Sequence, residues 1–184
     1  MTQESVKAAL LSTIESIKAN PDAAHAVYFV DTKLVEDVRC SAKVRDFPPM
    51  TIDQPPGMGG QNTAMSPMEL MLVALGTCQE IMYAAYASVM GIPLTKVEVR
   101  LQGHLDKRGM LGMNSAVSSG FQKVSYEITI DSAADEADIK KLIETVESHC
   151  PATDTFVRPI ELTGKVSING GPMKSMGEGA VAAA

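Results

Sequence analysis

A long apolar segment in the first half of the chain limits the fold more than any other stretch of the sequence. Ser66 can cap a helix, Pro67 suits the first helical position, and Glu69 can bond back to the cap. The residues that follow are mostly apolar until Gly91, which is typical of the end of a helix. The sequence therefore predicts a helix of about six turns, to about Met90, that other parts of the protein must cover.

The same segment is the best candidate for a membrane span, because about 20 consecutive apolar residues can cross a bilayer. Glu69, Gln79 and Glu80 interrupt it with polar groups, and Pro93 follows its end. A buried central helix is the better interpretation, and we expect no membrane partner.

Apolar residues at helical spacing predict two further helices. One occupies the N-terminus and stops near Asn20; its stripe is Val6, Leu10, Ile14 and Ile17. The other should be capped by Ser132 and stopped by Pro151; its stripe is Ile139, Leu142, Ile143 and Val146.

Strand formers and alternating apolar residues predict the sheet. Residues 26–30 and the alternation that begins at Val38 indicate a hairpin, with Cys40 on its apolar face. Residues 97–105 and 124–130 each have one polar face, so they are expected to be antiparallel. Residues 160–168 predict a last strand. Proline and glycine predict a long loop without regular structure at 47–63, and glycine and serine predict another loop at 107–120.

These elements indicate an α+β domain in which helices pack on a largely antiparallel sheet. A chain of 184 residues is most simply one domain. We assign residues 23–169 to this domain, 1–22 to an N-terminal helical extension and 170–184 to a flexible C-terminal tail. The start of the chain lacks a cationic stretch followed by an apolar run, so we expect a cytoplasmic protein. The net charge is −6 with scattered lysine and arginine, which argues against nucleic-acid binding.

Cysteine is the residue type with the best chance of carrying chemistry. The three cysteines have no CxxC spacing, the three histidines have no metal-ligand spacing, and no Gly-x-Ser-x-Gly motif occurs. A reactive Cys78, in the middle of a helix, would need a cation from elsewhere to stabilise its thiolate. Cys150 follows a helix C-terminus, where the helix dipole disfavours an anion, so it would be the resolving thiol if both react. The alternative is that each cysteine is only a small apolar core residue.

Four motifs carry a family resemblance: Arg45-Asp-Phe47, Asp53-Gln-Pro55 with Gly59-Gly60, the segment from Pro67 to Cys78, and His149-Cys150-Pro151. Over about residues 28–168 the chain resembles the OsmC/Ohr family. The resemblance implies an OsmC-like intertwined homodimer whose long helices are buried in a shared core. It also implies a Cys-based peroxidase for organic hydroperoxides that needs no cofactor or metal.

The resemblance also implies roles for particular residues. Cys78 would be the peroxidatic thiol, Cys150 the resolving thiol and Arg45 the cation beside the thiolate. A dihydrolipoamide-type dithiol would be the reductant.

The chain departs from the family pattern at one position. In the best-known peroxidase branches a catalytic glutamate directly follows the proline of the helix motif, where this chain has Met68. Glu69 comes one residue later, and one residue rotates a helical side chain by about 100°. Glu69 is thus either a site residue or only part of a helix cap. The chain is either a thiol peroxidase or a dimeric stress-associated or ligand-binding protein with little peroxidase activity.

Overall fold

The structure, a computed structural model, describes residues 2–176. Its helices are α1 (Gln3–Ala19), α2 (Pro67–Met90), α3 (Lys107–Met110), α4 (Glu136–His149) and α5 (Pro151–Val157). Its strands are β1 (Asp31–Glu36), β2 (Arg39–Lys43), β3 (Met50–Ile52), β4 (Lys96–Leu105), β5 (Phe121–Asp131), β6 (Lys165–Val166) and β7 (Lys174–Ser175). Short 3-10 helices occupy Pro21–Ala24 and Pro56–Met58.

The described strands pair in three antiparallel groups, β1-β2-β3, β4-β5 and β6-β7. The β4-β5 hairpin is the longest and runs in register from Lys96 opposite Asp131 to His104 opposite Lys123. It confirms the predicted pair of long antiparallel strands. Together with the helices, these sheets form the predicted α+β fold.

Helix α2 begins and ends as its sequence predicts. The Ser66 hydroxyl accepts a hydrogen bond from Glu69 N, and the Glu69 carboxylate accepts one from Ser66 N. Gly91 closes the helix at φ 72°, a left-handed conformation that glycine adopts without a steric penalty. These local signals are strong because they satisfy backbone groups that a helix leaves unpaired at its ends.

The core lies where α2 packs against α4, with the β4-β5 hairpin beside both. Its buried members are Tyr83, Ala87, Ile92, Leu142 and Val146. Met71, Val73 and Ile81 of α2 stay exposed in the single chain, so the predicted burial of this helix is incomplete. Helix α2 is long and apolar enough for a membrane span by length and composition alone, a test that core helices of soluble proteins also pass.

The structure corrects two predictions in the first third of the chain. Residues 26–30 are strand formers but lie exposed and unpaired, and the hairpin begins instead at Asp31. Strand propensity alone does not form a strand without a neighbouring strand to bond. The segment 47–63 is not free of regular structure, because Met50–Ile52 pairs with β2 directly after Pro48 and Pro49.

Three further corrections concern the last third. Asp135, not Ser132, caps α4. The Ser132 hydroxyl instead donates a hydrogen bond to the Pro93 carbonyl. Pro151 does end α4, but it also starts α5, which the sequence prediction lacked. The predicted strand 160–168 shrinks to Lys165–Val166, which pairs with Lys174–Ser175 inside the predicted tail. The rest of that tail, residues 177–184, lies outside the described residues.

Candidate functional site

The structure brings Cys78 and Cys150 together although 72 positions separate them in the sequence. Their Sγ atoms are 3.7 Å apart, and both thiols are free. A disulfide has an S–S length of about 2.05 Å, so the sulfur atoms would have to approach by roughly 1.7 Å. Small side-chain rotations could supply that distance. The pair is therefore placed for reversible oxidation.

The turn between α4 and α5 places Cys150. Cys150 is the C-cap of α4, where its N–H donates to the Val146 carbonyl, and it is also the N-cap of α5. Its backbone is extended there, and Pro151 takes the first position of the new helix, which needs no N–H. This double cap turns the Cys150 side chain inward, where only 1% of the residue stays exposed.

A close approach of α2 to the β4 strand fixes the other side of the site. A Cβ on Gly76 would lie 2.6 Å from Leu101 Cδ1, so a larger residue would force the Leu101 side chain to move. Gly76 precedes Cys78 by two positions on the same helix. Gly76 thus lets Leu101 of β4 pack closely against the helix that carries the Cys78 thiol.

The surroundings of Cys78 act on its pKa in opposite directions. Burial is the largest cause and raises the pKa of the thiol, and the neighbouring Cys150 raises it further. The Ala152 backbone N–H, in the first turn of α5, bonds to the sulfur and lowers the pKa. Within the described chain the net effect is a raised pKa. A thiolate at Cys78 therefore needs a positive charge from another source.

Arg45 lies apart from the cysteines in the described chain. It is exposed in the turn after β2, at φ 47°, and its guanidinium lies 4.7 Å from the centre of the Phe47 ring. It is not among the groups that shift the pKa of Cys78. Its predicted role beside the thiolate thus requires a loop movement or a second copy of the chain.

Glu69 takes part in the cap of α2. Its Oε2 accepts hydrogen bonds from Ser66 N at 2.7 Å and from the Ser66 hydroxyl at 2.8 Å. These bonds, the backbone one first, hold the pKa of Glu69 below its usual value. The side chain is exposed, and it lines a groove between α2 and β4. The cap explains its presence without a catalytic role.

We expect Glu69→Gln to leave the rate of Cys78–Cys150 disulfide formation within about twofold of wild type, since glutamine also serves in a capping box. Timed thiol trapping after addition of an oxidant measures this rate. A tenfold loss in folded Glu69→Gln would instead place this carboxylate in the site.

Ser66→Ala should lower the free energy of unfolding by about 1 kcal/mol, because it removes the cap oxygen. Urea denaturation measures this change.

Asp53 is a buried carboxylate that the sequence analysis noted only as part of a motif. It accepts hydrogen bonds from the backbone N–H groups of Gln54, Gln61 and Thr63 and from the Thr63 hydroxyl. These bonds, led by those from Thr63, lower its pKa to about 2. Asp53 thereby links residues 54, 61 and 63 of the proline- and glycine-rich loop by hydrogen bonds. A carboxylate beside Gly- and Pro-rich loops is the signal that could have suggested this role.

Asp53→Asn should lower the melting temperature at pH 7 by a few degrees, because an amide would direct N–H groups at backbone N–H donors. The folded-state pKa lies below the ordinary 3.8, so ionised Asp53 stabilises the fold above that pH. This contribution is lost as pH falls from 3.8 toward about 2. Thermal melts of wild type and variant should therefore converge across that range. Asp46→Asn, at an exposed position, serves as the control; a constant difference at all pH values would contradict the prediction.

A cluster of polar side chains behind Cys150 also escaped the sequence analysis. The Tyr126 hydroxyl donates to Glu147 Oε2 at 2.6 Å, which joins β5 to α4. Burial first, and then Glu147, raise the pKa values of Tyr83 and Tyr126 to about 12, with Cys150 adding to both. Gln79 is 1% exposed, and its amide lies close enough to the Tyr126 hydroxyl to lower the pKa of that phenol. No local pattern marks these residues, because three separate elements, α2, β5 and α4, contribute to the cluster.

The fold and the site together define a class of protein: an α+β domain in which a thiol on a long helix faces a thiol at a helix-helix junction. A family model described as OsmC-like protein matches residues 60–165, more than half of the chain. The chain belongs to the OsmC-like family. A search of curated proteins finds no match.

Solved structures share the fold at low sequence identity. An OsmC-like protein from Mycoplasma pneumoniae is 23% identical, with a TM-score of 0.61, over 71% of this chain and 87% of that one. An organic hydroperoxide resistance protein OsmC from Legionella pneumophila is 18% identical, with a TM-score of 0.53, over 72% and 92%. An OsmC-like protein from Vibrio cholerae is 11% identical, with a TM-score of 0.58, over 71% and 94%. At these identities the likeness establishes the fold.

Proposed function

We propose that the protein is a Cys-based thiol peroxidase that reduces organic hydroperoxides and so protects against oxidative stress. The observation that carries the proposal is the 3.7 Å separation of the Cys78 and Cys150 sulfur atoms. Two free thiols this close can trap an oxidised intermediate as a disulfide. The similarity in fold to a hydroperoxide resistance protein from Legionella pneumophila adds support.

The proposed reaction uses both thiols in sequence. The Cys78 thiolate attacks the terminal oxygen of the hydroperoxide, the O–O bond breaks, and the alkoxide leaves and takes a proton from water to become the alcohol. Cys78 becomes a sulfenic acid. Cys150 then attacks the Cys78 sulfur, the S–O bond breaks, and water leaves as the disulfide forms. A dithiol then reduces the Cys78–Cys150 disulfide to two thiols and is itself oxidised to a cyclic disulfide.

The arrangement of exposed apolar residues supports a homodimer as the working form. Tyr28 is 90% exposed and Phe29 is 79% exposed, and much of the apolar surface of α2 is also open. Exposure of this much apolar surface to water is unfavourable for a monomer. We propose that a second copy covers these surfaces and that Arg45 of one copy supplies the positive charge that Cys78 lacks. Free thiols suit a reducing compartment, so we place the protein in the cytoplasm.

Intact mass before and after one equivalent of an alkyl hydroperoxide tests the proposal. We expect the loss of two hydrogen atoms and, on non-reducing peptide mapping, a crosslink between Cys78 and Cys150. Cys150→Ser is the matched control and should gain one oxygen instead. Thiols that stay unchanged in the wild type would refute the peroxidase function.

A second candidate function is a dimeric stress-associated or ligand-binding protein with little peroxidase activity. Two observations favour it: the raised pKa of Cys78 and a groove of about 360 Å³ between α2 and β4. Leu72, Val73 and Leu101 give the groove apolar walls, and Glu69 and Glu80 lie at its lining. Rapid disulfide formation with peroxide would exclude this candidate as the main function.

A further inference from the structure

We propose that Glu80 and Glu147 are positioning residues, which hold the two thiol-bearing helices on the β4-β5 hairpin and so set the spacing between Cys78 and Cys150. The inference rests on the proposed function, because it concerns how readily the disulfide of that function closes. Sulfur atoms that are 3.7 Å apart must approach by roughly 1.7 Å to form a disulfide. Small shifts of either helix therefore change how readily the pair closes.

Helix α2 is held on the hairpin at positions that flank Cys78 in the sequence. Glu80, two residues after Cys78, accepts a hydrogen bond from Val99 N of β4 at 3.3 Å. Gly76, two residues before Cys78, lies so close to Leu101 of β4 that an added Cβ would be 2.6 Å from the Leu101 Cδ1 atom. In the described part of the chain, the bond to Val99 is the one side-chain hydrogen bond between α2 and a strand.

Helix α4 is held on the other strand of the same hairpin. Glu147 lies in the last turn of α4, three residues before Cys150, and accepts a hydrogen bond from the Tyr126 hydroxyl of β5 at 2.6 Å. The other side-chain hydrogen bonds of α4 that the structure describes stay within the helix or its N-cap. Helix ends fray easily, and a hydrogen bond to a charged group is a strong one. The Tyr126 hydroxyl therefore restrains the end of α4 that carries Cys150.

Both anchors belong to one block of paired strands. Val99 lies opposite Ile128, and Leu101 lies opposite Tyr126. The contacts to α2 and to α4 are thus neighbours in the same ladder of backbone hydrogen bonds. Cys150 is 1% exposed and caps both α4 and α5, so its side chain follows the end of α4. Each carboxylate therefore fixes one thiol relative to a shared frame.

Equilibrium with a glutathione buffer measures how readily the two thiols close. One oxidised glutathione takes both hydrogen atoms of the thiol pair, so the products are the protein disulfide and two reduced glutathiones. Alkylation of the remaining thiols and intact mass give the equilibrium constant, in a Cys40→Ser background so that only the pair reacts. We expect Tyr126→Phe and Glu80→Ala each to lower this constant about tenfold, which makes the reduction potential about 30 mV less negative.

Conservative substitutions separate this role from a general effect on folding. Glu80→Gln and Glu147→Gln keep an oxygen that accepts the same hydrogen bond, so their constants should stay within about threefold of wild type. Glu144→Ala, at an exposed position on α4, is the matched control and should leave the constant unchanged. Urea denaturation of the reduced proteins identifies a temperature at which every variant is folded, and the constants are compared there.

Each outcome decides between the alternatives. An unchanged constant in folded Tyr126→Phe and Glu80→Ala overturns the inference, even if both variants are less stable, because the two bonds then serve folding alone. An equal loss in Glu144→Ala or in the glutamine variants also overturns it. A wild-type protein that closes its disulfide in glutathione but does not react with an alkyl hydroperoxide overturns the proposed function alone. Thiols that stay reduced in every glutathione buffer overturn both.

Discussion

Cys78→Ser should reduce dithiol-dependent turnover of an organic hydroperoxide to the rate seen without protein, a loss of more than about 10³-fold. The physical reason is that the reaction needs a sulfur nucleophile, because a serine hydroxyl is not ionised near neutral pH and cannot accept oxygen to form a sulfenic acid. A coupled assay that follows dithiol oxidation measures the effect. The variant should fold as the wild type does, because the substitution changes one atom at a partly buried position.

The other two cysteines provide matched controls for this prediction. Cys150→Ser should consume about one equivalent of peroxide and keep a sulfenic acid on Cys78, since no second thiol resolves it. Cys40→Ser, on β2, should retain turnover close to wild type. Activity that survives in Cys78→Ser would show that another residue carries the reaction. Equal loss in all three variants would indicate a general loss of structure instead.

Leu142→Ala should lower the free energy of unfolding by about 2–5 kcal/mol, which is a large part of the stability of a single domain. Leu142 has no exposed surface and lies between α4 and α2, in contact with the buried cluster around Tyr83 and Val146. Truncation removes buried methyl groups and leaves a cavity that the rigid helix pair fills poorly. Chemical denaturation at one fixed protein concentration measures the change.

The control for this prediction is Leu111→Ala, the same substitution at a residue that is 54% exposed. It should change the free energy of unfolding by no more than about 0.5 kcal/mol. The same core carries the helix junction of Cys150, so partly unfolded Leu142→Ala should also form the Cys78 to Cys150 disulfide more slowly. Equal effects of the two substitutions would contradict the assignment of the core to the α2-α4 contact.

Several parts of the fold follow from local sequence alone. The cap at Ser66 and the glycine at Gly91 set both ends of α2, because they satisfy backbone groups within a few residues. Alternating residues set the β4-β5 hairpin, because each strand must turn one face to the core. The predictions were wrong where pairing with another strand decided the outcome. Residues 26–30 lack a neighbouring strand in the described chain, whereas Met50–Ile52 pairs with β2 although two prolines precede it.

Local sequence was enough to predict the long helix, the β4-β5 hairpin, the α+β class and the two cysteines that merit a test. The packing of distant segments places the Cys78 and Cys150 sulfur atoms 3.7 Å apart and joins the Tyr126 hydroxyl to Glu147. Helix caps and alternation are encoded within a few residues, so they can be read from the chain. Contacts between distant segments depend on how α2, α4 and β5 pack, and no local pattern specifies that packing.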